Sequence, residues 1–255
     1  MKLTILGSGT CFPELDRHFS SYLIQTDGLN LVFDFGRGAL DGLLKAGIGY
    51  YDIDMVFLTH LHLDHFSELS ALLFISLTEP LGEELRKKDL VIYGPQGFIE
   101  RYDYLEKVFN LKKYKPKYKI VIRELKNEDI TEINGCVVKN YQVEHSKFSP
   151  SLSYRIESED KILAYSGDSG DCEGLKKACQ DSDLAILEAT MGEDLIEMHL
   201  NGESVGKIAQ ETNVKKLILT HIRSSIIESY NPVEKAKLNF KGEVLLAEDG
   251  MEIEV

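Results

Sequence analysis

The chain has 255 residues, 43% hydrophobic and 28% charged, with a formal net charge of −13. That is enough apolar material for a sizeable core, so wholesale disorder is excluded. The acidic surface argues against stable binding of duplex nucleic acid or anionic membrane.

Taken in chain order, short β-rich runs alternate with helical patterns. The apolar start MKLTILGSGT is glycine-interrupted and too short for a signal peptide, and no run approaches the roughly 18 residues of a membrane helix, which predicts a cytoplasmic protein. Leu3–Leu6, Tyr22–Gln25 and Asn30–Asp34 read as strands between glycine-containing turns. Arg37–Ala46 reads as a helix stopped by Gly47, and Asp54–Leu58 as an apolar strand. Ser67–Thr78 is expected to be an amphipathic helix, with Leu69, Leu72, Leu73 and Leu77 on one face and a stop near Pro80. Its apolar surface could serve a homodimer. Leu90–Tyr93 is a predicted strand, broken at Gly94-Pro95 and followed by a helix to about Asn110.

The stretch from Tyr118 to Tyr154 is strand-rich, with Ser151–Glu157 and Lys161–Tyr165 as further strands. Then come a helix at Cys172–Gln180, a strand at Leu184–Leu187, a helix at Gly202–Glu211, a strand at Lys216–Thr220 and a helix at Pro232–Leu238. Glu243–Ala247 and Glu252–Val255 are the closing strands. With no internal repeat, linker or composition break, the simplest expectation is a single domain over 1–255 of α/β layers with mixed strand pairing. Cys11, Cys136, Cys172 and Cys179 form no CxxC pair, so all four are expected to be small core residues in a reducing compartment.

Chemistry concentrates at Thr59-His60-Leu61-His62-Leu63-Asp64-His65, between a strand and a helix. Neutral imidazole and carboxylate are ligands for zinc and similar divalent ions. In a turn after a strand, His60 and His62 can point to one side while Asp64 and His65 swing to another, which suits two neighbouring cations. Seven histidines exist in all. His145, Asp168 and His221 each follow an apolar strand, where an α/β sheet gathers its site residues. His18, beside Arg17, reads as a locally hydrogen-bonded loop residue. Other patterns fail. Gly7-Ser8-Gly9 lacks the third glycine of a dinucleotide fingerprint, and no P-loop occurs. Lys112, Lys113, Lys115, Lys117 and Lys119, interleaved with Tyr114 and Tyr118, read as a solvated surface loop; whether they touch substrate is open.

The order of these pieces resembles the metallo-β-lactamase-fold hydrolases over nearly the whole chain, and within them the branch of ribonuclease Z and its small phosphodiesterase relatives. The resemblance rests on Leu6-Gly7-Ser8-Gly9-Thr10, Arg17-His18-Phe19-Ser20-Ser21, Asp34-Phe35-Gly36 and the HxHxDH signature at 60–65. It continues through His145, Gly167-Asp168-Ser169, Glu188-Ala189-Thr190, His199 with Ala209, and Leu219-Thr220-His221. It implies an α+β fold, an αββα sandwich of mixed sheets with outer helices. It also implies that His60, His62 and His145 hold one metal, that Asp64, His65 and His221 hold a second, and that Asp168 bridges. Zinc is the first expectation, with Mn2+ or Fe2+ also compatible with these donors.

Two such cations lower the pKa of a shared water from 15.7 toward about 7, so hydroxide becomes available, and Asp64 can aim it. His199, oriented by Glu188, is the candidate general acid. One departure bears on substrate. Ribonuclease Z enzymes carry a tRNA-gripping arm between the third metal motif and the bridging aspartate, and here residues 146–167 leave no room for it. The reading ranked first is therefore a phosphodiesterase on small phosphodiesters, such as cyclic nucleotides. A ribonuclease at RNA 3′ ends and a metal-bound sensor without turnover are the alternatives.

Overall fold

Alternation along the strands sorts the apolar side chains into three separate cores. The computed structural model describes residues 1–78, 85–114, 116–194 and 197–255. A first sheet has the order β14-β1-β2-β3-β4-β5-β6. Its strands are β1 (Lys2–Gly7), β2 (Ser21–Thr26), β3 (Leu29–Phe33), β4 (Met55–Phe57), β5 (Leu90–Pro95), β6 (Ile120–Leu125) and β14 (Glu252–Glu254). The second runs β13-β12-β11-β10-β9-β8-β7. It contains β7 (Ile130–Ile133), β8 (Cys136–Val143), β9 (Ser151–Ser158), β10 (Lys161–Tyr165), β11 (Leu184–Glu188), β12 (Lys216–Thr220) and β13 (Glu243–Leu246).

Both sheets are mixed. The segment β3-β4-β5-β6 is parallel, as is β10-β11-β12-β13, and the remaining pairings are antiparallel. Successive side chains point to opposite faces of a strand. Leu3, Ile5, Leu31, Phe33 and Phe57 therefore meet Tyr154, Ile156, Leu163, Ile186 and Ile218 in the core between the sheets. Phe33 stacks on Phe57 and Phe57 on Tyr93, with centroids 5.0 and 4.8 Å apart, and Tyr154 meets both phenylalanines edge-on.

The other registers face outward. Leu6, Leu23, Val32, Val56 and Ile92 pack beneath α1 (Ala39–Lys45), α3 (Leu69–Thr78) and α4 (Phe98–Val108). Ala185, Leu187, Leu217 and Leu219 pack beneath α5 (Glu173–Cys179), α6 (Gly202–Glu211) and α8 (Pro232–Lys237). The result is an αββα sandwich.

Several details differ from expectation. The predicted Ser67–Thr78 helix starts two residues later, as α3, and a separate short helix, α2 (Leu63–Phe66), precedes it within the HxHxDH segment. Leu69, Leu72 and Leu73 are buried as expected, but α3 is apolar all round, with Phe74 46% exposed. Its expected stop near Pro80 lies outside the described residues. β5 runs through Gly94-Pro95 because both pair with β6, opposite Glu124 and Leu125. A helix at Ser224–Tyr230, α7, was missed. The thiols also divide: Cys136 and Cys179 are buried, Cys172 is half-buried and Cys11 is exposed.

Candidate metal centre

The parallel strands of both sheets deliver polar residues to one edge of the sandwich. His60 follows β4, Asp168 follows β10, Glu188 ends β11 and His221 follows β12. His145 arrives from the antiparallel strand β8. Turning side chains inward at strand ends requires unusual backbone: Asp34, Gly167 and His221 have φ of 58°, 59° and 56°. At Gly167 a Cβ would also lie 2.7 Å from Thr59 Cβ, so only glycine fits.

His60, His62, His145 and Asp168 form one group whose ligand atoms lie within 4.8 Å of one another, and Asp64, His65 and His221 form a second. His62 keeps extended backbone at the start of α2, while Asp64 and His65 lie in its first turn. This change of backbone divides the HxHxDH segment between the two groups. His60 Nε2 and His145 Nε2 each lie 3.0 Å from His62 Nδ1. Asp168 spans both groups. Its Oδ2 is 3.8 Å from His60 Nε2 and 3.7 Å from His145 Nε2, and its Oδ1 is 3.2 Å from His65 Nε2 and 3.5 Å from His221 Nε2.

Outer hydrogen bonds fix the ring orientations, as they do around bound metals. Thr59 Oγ1 donates to Asp34, so the His60 Nδ1–H donates to Thr59 Oγ1 (3.0 Å), leaving Nε2 as the free lone pair. His65 Nδ1–H donates to Asp34 Oδ2 (2.7 Å) and His145 Nδ1–H to the Met198 carbonyl (3.1 Å). His221 Nδ1–H donates to Thr190 Oγ1 (2.8 Å), whose hydroxyl donates to the His221 carbonyl. Four rings thus aim Nε2 at the centre.

The donor set fits two cations on three counts. Three imidazole nitrogens face one another, and no more than a fraction of those contacts can be hydrogen bonds. Asp168 Oδ1 is buried and receives no well-directed hydrogen bond, a costly state for a carboxylate oxygen. The protonation pattern points the same way. Burial pushes the pKa values of His60, His62 and His145 down, keeping them neutral as ligands must be. Burial also opposes charge on His65 and His221, yet Asp168, with Asp34 for the first and Asp64 for the second, raises both. Burial likewise opposes charge on Asp64, but the hydrogen bond from His221 and the charges of His65 and His221 hold it at about 2. The carboxylates call for positive charge at the second group.

Beside the metal groups, His199 Nδ1 lies 2.7 Å from Glu188 Oε1. Glu188 is fully buried, and backbone N–H groups of Ser169, Thr190 and Leu200 donate to its two oxygens. Burial works to lower the His199 pKa, but the Glu188 hydrogen bond and charge raise it to about 9. The His199 and His145 rings meet edge-on with centroids 4.7 Å apart. A cleft of about 650 Å³ opens onto His62, Asp64, His145, Asp168, His199 and His221. All nine residues singled out in the sequence therefore gather in one place.

Sequence reasoning missed the support. Asp34 follows the apolar strand β3 much as Asp168 follows β10, and that shared position is the signal that could have found it. Tyr165, whose hydroxyl donates to Asp34 Oδ2 (2.6 Å), carried no signal. His18 does not pair within its own loop as expected: its partner is Asp249 (2.7 Å), 231 positions along the chain, and neither His18 nor the described lysines of 112–119 line the cleft.

The family model described as the beta-lactamase superfamily domain matches residues 37–222. A ribonuclease Z of Methanosarcina acetivorans is 29% identical, with 100% of this chain and 98% of that protein covered. That alignment spans 311 positions against 255 residues here, so the relative has segments without counterpart in this chain. Among solved structures, the metallo-beta-lactamase fold protein YhfI from Bacillus subtilis superposes with a TM-score of 0.83 at 25% identity, covering 100% of this chain and 99% of that one. Human tRNase Z, short form, gives 0.78 at 26% identity, with the same coverage. No helix among the described residues is long and apolar enough to cross a membrane. With its αββα layers, its two converging donor groups and a family match across most of its length, the chain belongs to the beta-lactamase superfamily and is a ribonuclease Z-like, metal-dependent hydrolase of the metallo-β-lactamase fold.

Proposed function

We propose that the chain is a two-cation phosphodiester hydrolase that cuts RNA near 3′ ends, with zinc in both positions. The observation that carries it is the placement of Asp168 between two ligand groups, with the Glu188–His199 pair on the same cleft. His60, His62 and His145 would hold one cation, Asp64, His65 and His221 the other, with Asp168 shared. Bound there, the cations would polarise a phosphoryl oxygen and bring the pKa of a water to near 7.

The chain's own residues supply the rest. Asp64 stays anionic in the neutral range and accepts hydrogen bonds at the cleft floor. Glu188, clamped by three backbone donors, takes the Nδ1–H of His199 and leaves the Nε2 proton for the departing oxygen. Resemblance across the full length to proteins named ribonuclease Z supports RNA over the small phosphodiesters ranked first from sequence. Small diesters remain a second reading on one observation: residues 146–167 are filled by β9, β10 and their connections, without a tRNA-gripping arm.

The test uses metal-analysed protein with 3′-extended RNA and with cyclic nucleotides. Chelator-sensitive cutting of the RNA is expected. Cyclic-nucleotide turnover with the RNA left intact would replace this reading with the second.

A further inference from the structure

The wall of the cleft made by the loop after β1 and the start of α7 takes no part in holding cations, yet it is built in detail. The Arg223 guanidinium carbon lies 4.7 Å from the Phe12 ring centroid, and Phe12 is nevertheless 56% exposed. Glu14, on the same loop, accepts from the Ser224 hydroxyl (2.6 Å) and the Ser224 N–H (3.1 Å), so the two segments are tied together. Leu61, Leu63, Met191 and Ile226 continue the lining in apolar character. Arg223 is the single Lys or Arg among the described lining residues, and it forms no ion pair among the described residues.

An apolar wall with one cation does not suit a duplex, whose grip comes from many phosphate contacts. It suits a single unstacked nucleotide, because every base has a π-face that an aromatic ring can hold, and one arginine answers one phosphate. A cleft of about 650 Å³ lies within the range of small-ligand sites. Resting on the hydrolase reading above, we infer that Phe12 and Arg223 form the subsite for one unpaired nucleotide next to the scissile bond, its base stacked on the open face of Phe12 and its phosphate beside Arg223. The stack replaces part of the grip that an arm would provide and restricts substrates to unpaired ends.

Calorimetry of the metal-loaded protein with adenosine 5′-monophosphate and with ribose 5-phosphate tests this, since the two differ only in the base. The nucleotide is expected to bind on the order of tenfold more tightly. Phe12→Ala should bring that ratio toward one and Phe12→Trp should restore it, whereas Arg223→Gln should weaken both ligands together. A ratio near one in the native protein, or equal losses for both ligands in Phe12→Ala, overturns the subsite. Bis(p-nitrophenyl) phosphate is assayed alongside. Absence of hydrolysis there, with a Phe12-dependent ratio intact, overturns the hydrolase reading and leaves a nucleotide-binding cleft.

Discussion

Asp34 Oδ2 accepts the Nδ1–H of His65 at 2.7 Å, although the two residues are 31 positions apart and both are fully buried. The same carboxylate accepts from the Thr59 N–H, the Thr59 hydroxyl and the Tyr165 hydroxyl. One side chain from the end of β3 thus sets rings in both donor groups, His65 directly and His60 through Thr59. Asp34→Asn keeps the size and removes the charge. We expect metal affinity to fall by roughly 10–100-fold, the range for outer partners of metal ligands. Competition titration against a chromogenic chelator measures it. Unchanged affinity in a folded variant would show that Asp34 serves packing only.

Removal of the cations should destabilise the fold. Seven donors converge here, and the native state binds the ions in an arrangement that an unfolded chain does not reproduce. A ligand at 100 times its Kd stabilises by about 2.7 kcal/mol. For chains of this size, each kcal/mol shifts Tm by roughly 2–4 °C. Scanning calorimetry with and without chelator should therefore show a drop of several degrees. Identical melting curves would mean that the groups do not bind metal tightly.

His199→Ala separates leaving-group protonation from the rest of catalysis. A general acid contributes typically 10²–10⁴-fold where the leaving oxygen needs a proton and little where it does not. Cleavage of ribonucleotide esters should fall by about that factor, and hydrolysis of nitrophenyl esters far less. Glu188→Gln should show the same split, because it removes the charge that raises the His199 pKa and its amide nitrogen cannot accept from the backbone N–H groups that the carboxylate oxygen accepted. Equal losses on both ester types would remove His199 from the acid role.

The thiols should react in a fixed order. Cys11 is exposed and Cys172 half-buried, whereas burial pushes the Cys136 thiol up to about 11 and that of Cys179 to about 12. Thiolate is the reactive form. Mass spectrometry after brief alkylation at pH 8 should find label on Cys11 first, and on Cys136 and Cys179 only after denaturation. Early label on Cys179 would contradict the packing of α5.

The strands and the donor residues were legible from the chain because both depend on local pattern. A short continuous apolar run marks a buried strand, as in Lys216–Thr220, and a polar residue soon after such a run marks its end, as at Asp168 and His221. Breaks in local logic misled. Gly94-Pro95 looks like a stop, but pairing with Glu124 and Leu125 extends the strand. Helix α7 begins three residues after His221 without a capping side chain, so nothing announced it. The interval between His145 and Asp168 is filled by β9 and β10, and its shortness alone favours small diesters, whereas the full-length similarity to ribonuclease Z proteins favours RNA.

By itself the sequence determined the alternation of strands and helices in mixed α/β layers and the polar residues at strand ends and adjoining loops, since side-chain period and residue chemistry are written residue by residue; the αββα sandwich was what the family resemblance implied. Tertiary structure alone decided that the Asp168 carboxylate oxygens face different groups, that Asp34 orients His65, and that Phe12 meets Arg223 across a cleft. Those pairings join positions up to 211 residues apart, and only the packing of two sheets, which no local pattern encodes, brings them within a few ångströms.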